Sequence, residues 1–218
     1  MKLIARYGGL VKFEHTLFAL PFALISLLVA TAGRPPARVL LWVLMAMVGA
    51  RSAAMAFNRL ADREYDRRNP RTAGRHLPAG LVSTRGAALF TLGAAALFVF
   101  AASRLNALCF ALSPVALGVA LLYSYAKRFT ELSHLWLGLA LAIAPVGAWL
   151  AATGALASFP LWTAAGVALW VTGFDIIYGC QDVDFDRREG LRSLAARLGV
   201  RRALGLARAA HALAVVAL

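Results

Sequence analysis

Asn58, Asp62 and Asp66 stand four residues apart at the end of an apolar segment, and 120 positions later Tyr178, Asp182 and Asp186 repeat the spacing. On one continuous helix such positions drift by only about 40° per step, so each trio is expected to line one face. Two aspartate pairs are oxygen donors of the kind Mg²⁺ takes, since that ion is held by one or two carboxylates and completes its shell with water and substrate phosphate. A single pair has a plainer reading, a solvated helix end whose carboxylates meet nearby arginines. Two copies at matching depth favour metal and phosphate.

Cations suited to phosphate follow closely. Arg71 and Arg75 lie just beyond the first motif, and guanidinium forks match phosphate oxygens in pairs. Lys127 ends a later apolar segment and is a further diphosphate contact. Arg63, Arg67 and Arg68 read as ordinary loop charge. Arg51 lies seven residues before Asn58 on the same helix face, about 10 Å deeper, where a charge is costly unless paired or wet. Asp175 stands in the same relation to Asp182. The pair is either a floor for a small anionic, proton-losing substrate or a salt bridge between two halves. Tyr123 and Tyr178 each lie one turn before a candidate functional residue. His15, His76, His134 and His211 show no metal-ligand spacing and read as packing or interfacial residues. Cys109 and Cys180 read as packed thiols.

These side chains must be positioned by membrane helices. The 218 residues are 61% hydrophobic with mean hydropathy +0.71, above the roughly half-apolar make-up of soluble domains. Apolar runs of about spanning length fall near 13–32, 39–57, 86–103, 106–123, 135–153 and 161–179. A seventh starts around Ala203 and stops at Leu218, short of the ~20 residues a span needs, so the chain reads as ending inside an element. With the N-terminus in the cytoplasm, 18 of the 23 Lys and Arg fall on that side and Arg34, Arg38 and Arg104 fall outside, with Arg51 and Arg208 inside apolar segments. This is a positive-inside distribution, which accounts for the net charge of +13 without nucleic acid. No cleavable signal peptide is expected.

The fold class read from this pattern is all-α: one polytopic transmembrane bundle over 1–218, with two parallel pseudo-repeats around a central cavity. Gly33-Arg34-Pro35-Pro36 is expected to make an outer turn, and Arg67 to Thr84 a long cytoplasmic loop. A cation or phosphate-ester transporter is the rival from another class. It would need ionisable residues on both faces, and the outer loops carry almost none.

The combined motifs resemble the UbiA superfamily of intramembrane prenyltransferases. The likeness rests on N-x-x-x-D-x-x-x-D (Asn58, Asp62, Asp66), R-T-x-x-R (Arg71, Arg75), Y-x-x-x-K (Tyr123, Lys127) and D-x-x-Y-x-x-x-D-x-x-x-D (Asp175, Tyr178, Asp182, Asp186). Lys12 to Pro21 and Asn69 to Arg75 look most like bacterial 4-hydroxybenzoate polyprenyltransferases, a branch with relatives acting on naphthoates for menaquinone. The resemblance implies nine spans around a cavity in the bacterial inner membrane, its active site toward the cytoplasm. It implies transfer of a polyprenyl group from its diphosphate to an aromatic acid, using Mg²⁺. Asp62, Asp66, Asp182 and Asp186, with Asn58, would hold the metal. Arg71, Arg75 and Lys127 would bind diphosphate, and Arg51 the acceptor's carboxylate. Tyr123 and Tyr178 would steady allylic positive charge, and Asp175 or Asp182 would help remove a proton.

Overall fold

The computed structural model describes residues 2–11 and 19–218, with side chains from Tyr7 onward in the first stretch. Those residues form helices, and none of them lies in a strand. Five helices are long and apolar enough to cross a membrane. They are α3 (Ala37–Ala61), α5 (Thr84–Leu105), α6 (Ala107–Phe129), α7 (Ser133–Thr153) and α8 (Ser158–Gly179). Each coincides with an apolar run read from the sequence. The first expected span is represented by α2 (Leu20–Ala30), an apolar helix of 11 residues. Lys12, Glu14 and His15, with the start of that span and most of the Lys12–Pro21 motif, lie outside the described residues. Shorter elements are α1 (Lys2–Val11), α4 (Arg63–Arg68), α9 (Val183–Arg188) and α10 (Leu194–Leu198), and α11 (Val200–Ala217) closes the order.

Contacts group the helices into two compact units. The first comprises Met1–Pro21 and Pro35–Ser124; the second comprises Phe22–Arg34 and Tyr125–Leu218, so the boundary falls inside α6.

In the first unit α3 packs along α5. Gly49 permits the approach: a Cβ there would meet the Phe98 nitrogen at 2.8 Å and the Ala94 oxygen at 2.9 Å, the close backbone contact that small residues give membrane helices. α1 rests on α3, where Leu10 and Val11 join Ala56, Leu77, Val82 and Ala87 in one buried cluster. The Ser83 hydroxyl caps α5 by accepting from the Gly86 N–H at 3.0 Å. Asn106 alone joins α5 to α6, and its side chain accepts the Cys109 N–H at 2.9 Å.

In the second unit α8 packs against α7 and α11. Gly138 lets α7 lie on α8, since a Cβ there would run into the carbonyl of Ala168. The turn after α2 bends through Ala32 (φ 48°) and Gly33 (φ 79°), and the Gly33 N–H donates to the Leu28 carbonyl at 2.7 Å.

Candidate functional site

The first acidic motif is not a single helix. α3 stops at Ala61, Asp62 takes φ −97° and ψ 8°, and α4 begins at Arg63. The expectation of one continuous helical face is therefore corrected, although the one-turn step survives the break. The Asp62 N–H donates to the Asn58 carbonyl at 2.9 Å and the Asp66 N–H to the Asp62 carbonyl at 2.7 Å. The bridge-region torsions at Asp62 are open to any residue, so helical periodicity in the sequence gives no sign of them.

The break sets Asp66 among cations. Its carboxylate is buried, with Arg75 Nη1 on Oδ1 at 2.6 Å and Arg59 Nη1 at 4.0 Å from Oδ2. Asn58 Nδ2 donates to Asp62 Oδ2 at 2.9 Å, while Asn58 Oδ1 accepts from Arg59 at 3.3 Å. The loop that returns Arg75 is tied down in sequence order. Asn69 Oδ1 accepts the Arg71 N–H at 3.0 Å, the Thr72 hydroxyl donates to the Asp66 carbonyl at 3.0 Å, and the Arg75 N–H donates to the Thr72 carbonyl at 3.0 Å. Asn-Pro-Arg-Thr is thus the chemistry of a turn as well as of a binding loop. Arg71 is exposed beside it.

Deeper in α3, Arg51 is mostly buried, and its Nε has no hydrogen-bond partner in the protein. Tyr123 of α6 bears on it electrostatically. A guanidinium nitrogen left so in an apolar helix is a polar group lacking a counterpart, which a carboxylate would supply.

The second motif repeats the break within its own unit. α8 ends at Gly179, a 3₁₀ turn covers Cys180–Asp182, and Asp182 takes φ −108° and ψ 9° before α9. Asp186 is almost fully buried, and Lys127 Nζ approaches its Oδ2 at 3.1 Å. The chain beyond α9 fastens the end of α6. The Leu191 N–H donates to the Asp186 carbonyl at 2.8 Å, and the Arg192 N–H to the Lys127 carbonyl at 2.7 Å. Tyr178 is exposed, its ring centre 5.8 Å from that of Phe174.

Two residues passed over in the sequence belong to these clusters. Arg59 is buried beside Asp66, and its spacing of seven, two turns on the same side, was the available signal. His134, read as a packing residue, is fully buried, and its Nδ1 lies 2.7 Å from Asp175 Oδ2. The ring does pack, against Gly179, and the hydrogen bond is what the packing reading did not give; Asp175 finds its partner within its own unit. No spacing signals a pair 41 residues apart. His76 and His211 do pack: the first against Gly9, the second with Nε2 3.2 Å from the Trp170 carbonyl oxygen.

Within either unit, among the described residues, no three His, Cys, Asp or Glu side chains converge. The donors nonetheless suit a hard cation that keeps its waters. They are oxygens, and Asp66 Oδ2 is buried without a hydrogen-bond partner in the protein.

A family model described as the UbiA prenyltransferase family matches residues 19–218. The chain is 37% identical over 184 residues to a 4-hydroxybenzoate octaprenyltransferase of Vibrio atlanticus, covering 84% of this chain and 65% of that one. The enzyme of the same description from Vibrio cholerae strain O395 is 35% identical over 222 residues, covering 100% of this chain and 75% of its own. The structure of a UbiA homolog from Aeropyrum pernix K1 superposes with TM-score 0.88 at 41% identity, covering 94% of this chain and 77% of that one. A UbiA homolog from Archaeoglobus fulgidus bound to DMAPP and Mg²⁺ shares the fold at TM-score 0.79 and 23% identity, covering 97% and 76%.

Proposed function

The chain belongs to the UbiA prenyltransferase family, and on that premise we propose that it transfers a polyprenyl group from polyprenyl diphosphate to a ring carbon of 4-hydroxybenzoate. One observation carries the reading. In each unit a buried aspartate, one turn past a helix break, is paired with a cation: Asp66 with Arg75 and Asp186 with Lys127. Carboxylates and cations held side by side are the two partners that a metal–diphosphate pair requires.

Asp62, Asp66 and Asn58 of the first unit, and Asp182 and Asp186 of the second, would hold Mg²⁺. Bound there, the metal would neutralise charge on the diphosphate and so ease its departure. Arg71, Arg75 and Lys127 bind the diphosphate oxygens, each through charge-assisted hydrogen bonds. Arg51 takes the carboxylate of the acceptor, which gives its unpartnered Nε a counterpart and orients the ring. Tyr123 and Tyr178 offer ring faces to the allylic cation, and apolar helix walls keep water from it. The ring then attacks ortho to its hydroxyl, and Asp175 or Asp182 accepts the proton it loses. The one-sided distribution of Lys and Arg supports an inner-membrane enzyme whose chemistry faces the cytoplasm.

The test is to incubate membranes containing the chain with Mg²⁺, a polyprenyl diphosphate, and separate samples of 4-hydroxybenzoate and 1,4-dihydroxy-2-naphthoate. Mass spectrometry should find prenylated hydroxybenzoate. Product from the naphthoate alone would reassign the acceptor, and no product from either would sink the reading.

A further inference from the structure

Resting on that reading, we propose that Asp175 is the group that takes the ring proton and that His134 is its positioning residue. Three observations in the second unit carry this.

The first is the pair itself. His134 opens α7 and is fully buried, its Nδ1 2.7 Å from Asp175 Oδ2, while His134 Nε2 is buried without a hydrogen-bond partner in the protein. With a proton on Nδ1 the ring donates to Asp175, and Nε2 faces no hydrogen-bond partner in the protein.

The second is the ring's seating. A Cβ on Gly179 would stand 2.8 Å from His134 Cε1, so the glycine lets the Cε1 edge of the imidazole come up against the end of α8. Asp175 at one edge and the Gly179 backbone at another fix the ring, and the ring fixes the carboxylate.

The third is the contrast with the two motif aspartates that follow, Asp182 and Asp186. Asp186 is bound to Lys127, and Asp182 is already committed to metal on the reading above. Asp175 is held by a histidine ring nitrogen, with no lysine or arginine bridged to it among the described residues of the second unit. Its side chain keeps 19% exposure, against 2% for Asp186. It also lies within α8 itself, one turn before the helix ends at Gly179, on the apolar side of the break at Asp182.

The step balances. The allylic C–O bond breaks first, and the diphosphate leaves with its electrons. The ring carbon ortho to the hydroxyl then bonds to the allylic carbon. The C–H bond at that ring carbon breaks, its electrons restore aromaticity, and the proton passes to the Asp175 oxygen that His134 does not hold.

The test follows turnover of geranyl diphosphate with Mg²⁺ and 4-hydroxybenzoate, either unlabelled or deuterated at ring positions 3 and 5. Wild type should show no isotope effect, because ionisation limits the rate. Asp175→Asn keeps an acceptor for the His134 N–H, and so keeps the fold, but cannot take the proton. Its kcat should fall about 10²–10³-fold with KM little changed, and a primary isotope effect should appear. His134→Leu should show the same signature with a smaller loss. His134→Asn, which places an amide N–H where Nδ1 stood, should restore most of the rate. Wild-type turnover by Asp175→Asn, or a loss in His134→Leu without an isotope effect, overturns the assignment while leaving the prenyl-transfer reading intact. Absence of product from wild type overturns that reading and this one with it.

Discussion

The two acidic motifs share a break at the middle aspartate and differ in the side chains set around it. Both break at the middle aspartate, with torsions of −97°, 8° at Asp62 and −108°, 9° at Asp182, and both bury the third residue, Asp66 or Asp186. At the constant offset of 120, Asn58 of the first corresponds to Tyr178 of the second, and Arg59 corresponds to Gly179. In the first unit that position sends a buried guanidinium toward Asp66. In the second it is stripped to hydrogen, and the space beside the backbone goes to the His134 ring. The cation on the third residue also differs in origin, since Arg75 arrives on the loop after its motif and Lys127 from α6. A shared helix break therefore fixes where a carboxylate stands, while the neighbouring positions decide whether it is surrounded by forked guanidinium groups or by one ammonium.

The sharpest way to break the comparison is to remove the carboxylates. If both motifs serve the reaction, Asp62→Ala and Asp182→Ala should each lower kcat for prenyl transfer by about 10²–10³-fold or more, measured by product mass in membranes. Stability should then separate the units. Asp66→Ala strands the buried Arg59 together with Arg75, and should cost about 3–5 kcal/mol in detergent unfolding, the usual penalty for breaking a buried pair. Asp186→Ala should cost less, because Lys127, with 31% of its side chain exposed, can turn to water. Equal losses would erase the distinction.

A smaller effect is expected at Gly179. Alanine there pushes on the His134 ring and should cost about 1–3 kcal/mol in the same unfolding measurement. The matched control is Gly74→Ala in the first unit's loop, where a Cβ meets nothing within 4 Å; it should stay within about 0.5 kcal/mol. The smallest effect is at Glu64 of α4. The Arg63 hydrogen bond, and then the Arg67 charge, hold its carboxyl below its ordinary value of 4.5. A depressed carboxyl stabilises the folded state above the unfolded value and loses that contribution as pH falls through the folded one. Wild type and Glu64→Gln should therefore differ slightly in melting temperature at pH 7, and the gap should close as pH falls below the ordinary carboxyl range and through the folded-state value. Because Glu64 is exposed, a large gap at pH 7 would contradict the assignment.

Much of this was legible in the sequence because it rests on local chemistry. Five membrane-length helices follow directly from uninterrupted apolar runs, since the bilayer sets one length for all of them. Arg75 was singled out because it follows the acidic motif closely, but as a phosphate contact; its ion pair with Asp66 depends on how Asn69 and Thr72 fold the loop back. What escaped depended on torsions or distant partners. The breaks at Asp62 and Asp182 occur at angles that no residue type announces. Arg59 was hidden among loop arginines by composition, though its spacing to Asp66 was there to be counted. His134 looked like filler because its partner lies on another helix.

α4 and α9 are each six residues long, well under the length at which a helix holds itself together in water. Their persistence depends on what grips Asp66 and Asp186. Their backbone amides are therefore built-in reporters. Deuterium uptake at Arg63–Arg68 and at Val183–Arg188 can be followed as two separate peptides, and slowing in one, both or neither on adding Mg²⁺ or pyrophosphate gives an occupancy reading for each unit. Binding can thus be watched one motif at a time, without turnover and without a label in the membrane.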